Sequence, residues 1–99
     1  MIRECYRYSF PDDVSLEDVK ASLLLAVMGT ESLHGAQVRL DAHQLFDTER
    51  RCCVIDASSP AGRDLNRLFA GFLSREFGDA FEVERIEDPA QPLFEEEVA

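Results

Sequence analysis

Two helices laid on one face of a four-stranded antiparallel sheet, an α+β sandwich of element order βαββαβ, is the fold class that the sequence predicts. Three observations lead there. Two stretches carry apolar residues at steps of three and four, the pattern of an amphipathic helix. Four shorter stretches alternate in polarity or run apolar, as strands do. Each helical stretch stands between two strand-like ones, so strand–helix–strand occurs twice.

In residues 2–10, Ile2, Tyr6, Tyr8 and Phe10 share one parity, and Arg3, Cys5, Arg7 and Ser9 share the other. This predicts a strand with its aromatic side toward the core. Glu4 interrupts the apolar parity, so the strand begins near the core's edge, and Pro11-Asp12-Asp13 ends it. A helix over 16–33 follows. Ser15 is its N-cap, Asp18 stands three residues later, and Val14 can staple to Val19. Leu16, Val19, Leu23, Ala26, Val27 and Thr30 face one way, and Leu24, Leu25 and Met28 widen the apolar arc. So wide an arc predicts burial against more than one surface. Gly29 inside the helix costs about 1 kcal/mol relative to Ala, and the helix is predicted to run through it and stop at Gly35.

Val38, Leu40 and Ala42 alternate with Arg39, Asp41 and His43, predicting a second strand over 38–43 with one wet face. Leu45-Phe46 then reads as a bulge or strand end. After turn residues Asp47-Thr48-Glu49, residues 50–57 show little alternation, as suits a central strand covered for most of its length. The second helix, 60–77, has Ser59 as N-cap, Pro60 at its first position, Arg75 in its last turn and Gly78 beyond. It lines up Leu65, Leu68, Phe69, Phe72, Leu73 and Phe77. Their burial is worth roughly 9–18 kcal/mol as an upper estimate, so something flat and apolar must cover them. Residues 81–86 alternate as a fourth strand. Residues 1–87 thus form one domain, and 88–99, with two prolines and an acidic cluster, read as a mobile tail. Leu93-Phe94 is the exception there, a pair able to dock on a partner or a neighbouring chain.

In element order over residues 2–87 the chain resembles the ferredoxin-like fold, without any family motif. That resemblance implies right-handed crossovers, both helices on one face, and the sheet order 4-1-3-2 with the first and third strands central.

Composition narrows function. With 99 residues, 45% hydrophobic and 30% charged, the chain can bury one core without disulfide or metal staples. The longest apolar run, residues 23–28, is too short for a bilayer. Charges interrupt the N-terminus where a secretion signal needs an apolar stretch, and the three cysteines read as reduced thiols in a cytoplasm. Twenty acids against ten bases give a net charge of -10. Such a field repels nucleic acid and anionic membranes. Asp88, Glu95, Glu96 and Glu97 lie in a tail without Lys or Arg, yet the remainder is acidic as well.

The face of the sheet left open by the helices is the first candidate interface. It is expected to display Arg3, Cys5, Arg7 and Ser9, then Arg39, Asp41 and His43, then Cys52, Val54 and Asp56, and finally Glu82 and Glu84. A solvated, salt-bridged face and a self-complementary interface both fit this pattern. Cys5 and Cys52 fall on the two central strands, where apolar filling or a redox pair would each suit them. The second candidate is an anion site at the start of the second helix, built from Ser58, Ser59, Gly62 and Arg63. It lacks the Lys and the glycine spacing of a phosphate loop, and ordinary capping also explains it. No CxxC or helical His spacing suggests a metal, no cofactor motif is present, and neither His34 nor His43 sits in a catalytic motif. Outward-facing Tyr6 and Tyr8 could stack RNA bases, but Arg3 and Arg7 would then be buried. The expected function is therefore a non-enzymatic assembly domain, forming a homodimer or binding a protein partner. A small-ligand or anion-binding domain, with or without enzymatic activity, is the alternative.

Overall fold

The computed structural model describes residues 4–38 and 44–86. Its elements run β1 (Cys5–Ser9), α1 (Leu16–His34), β2 (Gln44–Asp47), β3 (Cys52–Asp56), α2 (Pro60–Phe77) and β4 (Glu82–Ile86). All strand pairs are antiparallel and the sheet order is β2-β3-β1-β4, the expected 4-1-3-2 order seen from its other edge.

Both helices begin on the expected residues and are capped by the expected glycines, with α1 running one residue further than expected, to His34. Ser15 accepts the Asp18 N–H (3.3 Å), and Ser59 accepts the Gly62 N–H (3.0 Å), so each N-cap satisfies a backbone donor that has no intrahelical partner. At the other ends Gly35 (φ 91°) and Gly78 (φ 61°) donate back to Glu31 and Ser74 at 2.7 and 3.0 Å. α1 runs unbroken through Gly29, where a Cβ would press on Leu68 of α2. The glycine lets the two helices approach closely.

The core lies between this helix layer and one parity of the sheet. Tyr8, Cys53 and Ile55 from the sheet meet Val19, Leu23 and Ala26 of α1 and Leu65, Phe69 and Leu73 of α2. Tyr8 sets its ring edge-on to Phe69, 4.8 Å between centroids, and its hydroxyl donates to Asn66 Oδ1 at 2.6 Å. The buried phenol is therefore satisfied, and burial pushes its pKa well above the usual tyrosine value. Of the six apolar residues expected along α2, Leu65, Phe69 and Leu73 are buried, while Leu68, Phe72 and Phe77 are half-buried at the core's margin.

The second strand is displaced from its expected place. Val38 is buried but helical, its N–H donating to the Gly35 carbonyl at 3.2 Å after a turn at Ala36 and Gln37, and residues 39–43 lie outside the described part. The strand forms instead at Gln44–Asp47, with Leu45 opposite Val54 and Phe46 opposite Cys53. Phe46 reaches the core from here, with the Lys20 ammonium 5.5 Å from its ring. The turn that follows holds this register. Asp47 accepts both the Arg50 N–H (3.1 Å) and its guanidinium (2.9 Å), and these bonds hold the Asp47 carboxyl below its ordinary pKa.

Candidate functional site

The helix-free face carries the parity expected of it. Cys5, Arg7 and Ser9 of β1 lie beside Asp56, Val54 and Cys52 of β3 and beside Ile86, Glu84 and Glu82 of β4. Arg7 pairs with Glu84 across the strands. Arg3, Arg39, Asp41 and His43 lie outside the described residues, and the β2 positions on this face are Leu45 and Asp47. The centre of the face is not open. Cys5, Cys52 and Val54 are 0, 5 and 2% exposed and form a second apolar cluster with Ile86. A depression of about 560 Å³ lies toward β4, lined by Arg7, Ser9, Glu82, Val83 and Glu84. No cysteine is in a disulfide.

At the start of α2 the candidate anion-binding groups have structural employment. The Ser59 hydroxyl caps the helix, and the Ser58 hydroxyl accepts the Glu4 N–H at 2.8 Å. The Ser58 N–H donates to Asp56 Oδ1 at 2.9 Å, placing a carboxylate where an anion would sit. Gly62 is buried against the end of β3, where a Cβ would collide with the Asp56 carbonyl oxygen. Arg63 is exposed. Capping and close packing account for the serines and the glycine together.

Reactive groups elsewhere are similarly occupied. Burial pushes the Cys53 thiol up to about 12, with Cys52 beside it adding to the shift, so it remains protonated and a poor nucleophile at neutral pH. His34 Nε2 meets Asp64 Oδ2 at 2.7 Å between the end of α1 and the first half of α2, tying the two helices together. Among the described residues no group of three or more His, Cys, Asp or Glu is placed to hold a metal ion. Nor is any helix among them long and apolar enough to cross a membrane.

The surface that stands apart is on α1. Leu24, Leu25 and Met28 are 56, 55 and 52% exposed and adjoin one another on the helix, opposite buried Val19 and Ala26. They are the residues that widened the apolar arc in the sequence, and the sheet covers only the other side of that arc. Ala21 extends the stripe, and Lys20 and Glu31 border it on one side. Sequence reasoning missed Arg51 altogether. Expected to begin a strand, it adopts φ 53° and sends its guanidinium to the carbonyls of Phe10 (3.1 Å), Pro11 (2.7 Å) and Val14, closing the loop before α1. No protein-family model, curated protein or solved structure matches the chain.

Proposed function

We propose that this protein is a non-enzymatic assembly domain that self-associates through α1 in a reducing compartment such as the cytoplasm. The observation that carries the proposal is the run of Leu24, Leu25 and Met28, each more than half exposed on a helix whose other side is fully packed. Contiguous apolar surface of this kind marks a protein-interaction site. The centre of the helix-free sheet face is already buried within the chain, so it has little apolar surface left for a partner.

A second copy is the occupant that the surface favours. A two-fold axis near Leu25 that sets two α1 helices antiparallel brings Leu24, Leu25 and Met28 of each copy against the same three residues of the other. An interface centred on three apolar side chains falls at the small end, below about 1,200 Å² in total, and associates weakly and reversibly.

A charge placed in the stripe tests this geometry. Leu25→Glu should weaken association several-fold in sedimentation equilibrium while leaving the melting temperature unchanged. A variant that associates as tightly as the parent would refute the α1 interface.

A further inference from the structure

The sheet ends on β4, with no strand beyond it among the described residues. Pairing with β1 occupies one side of this strand, and the other side presents backbone N–H and C=O groups without ladder partners among those residues. Proteins commonly blunt such an edge with a proline or a bulge. β4 has neither, since its five residues pair with β1 in continuous register and include no proline. Glu82, Val83, Glu84 and Arg85 are all exposed, Val83 by 46%. Charge guards this edge instead. Glu82 and Glu84 lie on the helix-free side. An antiparallel two-fold pairing of β4 with a second copy would set Glu84 against Glu84, or Glu82 against Glu84. Like charges thus disfavour a second copy here, and a strand of opposite charge fits.

We propose that the outer edge of β4 binds an extended basic segment of a partner protein, which joins the sheet as a further strand and sets Lys or Arg side chains beside Glu82 and Glu84. Main-chain hydrogen bonds from the edge supply affinity in this mode, and alternate side chains supply the choice of partner. On the helix-free side a depression of about 560 Å³ adjoins the strand, lined by Arg7, Ser9, Glu82, Val83 and Glu84. Arg7 is already paired with Glu84, so the lining keeps one surplus negative charge, and Glu82 makes no ion pair among the described residues. A cationic side chain of the added strand meets Glu82 there, with the Ser9 hydroxyl as a further acceptor. On the helix side the neighbours are Val83 and Arg85, which suit an apolar residue and repel a basic one. The partner segment therefore alternates basic and apolar residues. The net charge of -10 draws such a segment from a distance. At the opposite edge β2 offers only Asp47 as a carboxylate, and Arg50 already holds it.

A capped peptide alternating Lys and Val serves as the probe, titrated into dilute, isotope-labelled full-length protein and followed by amide NMR. The resonances of β4 should shift most, and β4 amides that exchange rapidly in the free protein should become protected. Glu82→Lys, which leaves the Arg7–Glu84 pair intact, should weaken binding several-fold at an unchanged melting temperature. The same peptide N-methylated at every backbone amide keeps its charge but cannot join a sheet, and it should lose most of its affinity. Equal affinity of the methylated peptide would overturn the proposal, by reducing the contact to charge alone. Shifts centred on β2 or α1 would overturn it as well, as would β4 amides that are all protected before peptide is added, which would mean an edge already occupied. Leu24, Leu25 and Met28 of α1 take no part in this edge, so self-association through that helix can stand or fall independently.

Discussion

A methyl group at position 62 has no room, because Gly62 packs the first turn of α2 against the Asp56 carbonyl oxygen at the end of β3. Gly62→Ala should cost about 1–3 kcal/mol by overpacking. Gly71, exposed on the same helix with nothing near its missing Cβ, should gain roughly 0.5–1 kcal/mol as Ala. Urea unfolding of the pair separates the two effects, and similar shifts would contradict the close approach. Gly62 was legible in the sequence as a glycine at a helix start, but not the reason for it, since the neighbouring carbonyl belongs to another element. Arg51 was hidden for the same cause: its carbonyl partners lie some forty residues earlier in the chain. Arg51→Ala should lose about 1.5–3 kcal/mol, the scale of hydrogen bonds to a charged group. Cys53 makes a pH-dependent prediction. Its folded pKa of about 12 exceeds the ordinary 9.0, so its contribution is fully present below about pH 9 and lost as pH rises toward 12. Cys53→Ala should lack that part of the alkaline decline in melting temperature, and an unaltered decline would place the loss elsewhere.

At the scale of elements, the helices were legible because their signals are local. Ser15, Ser59, Gly35 and Gly78 mark ends that backbone bonding alone demands, and the apolar spacing fixed which side faces inward. Residues 38–43 alternate as well as any strand, yet Val38 is helical and buried, and the strand forms six residues later. Pairing with β3 decided this, because it lets Phe46 reach the core while Asp47 staples the turn to Arg50. No local pattern encodes that choice. Depth within the helical face was also only partly legible. Phe69 and Phe72 were both expected inside, but Phe72 lies at the margin. Phe69→Ala should therefore cost about 3–5 kcal/mol and Phe72→Ala clearly less. Equal losses in denaturant unfolding would contradict the packing described for α2.

Across the whole molecule, two strand–helix–strand units close one sheet with both helices on the same side, and the element order alone was enough to indicate that arrangement. Surfaces were harder to read. Alternation correctly grouped Cys5, Arg7, Cys52, Val54, Glu82 and Glu84 on one face, but whether that face is open depends on what lies across it. The wide apolar arc of α1 predicted burial against more than one surface, whereas in the structure only one side of the arc meets the core and Leu24, Leu25 and Met28 stay exposed. Self-association through that stripe is the central claim, and mass in solution tests it most directly. Light scattering across a dilution series, from micromolar to near-millimolar protein, should show a monomer rising to a dimer, and a Leu24→Glu/Met28→Glu variant of unchanged melting temperature should stay monomeric throughout. A parent chain that remains monomeric at every concentration, or a dimer that survives both substitutions, would contradict it.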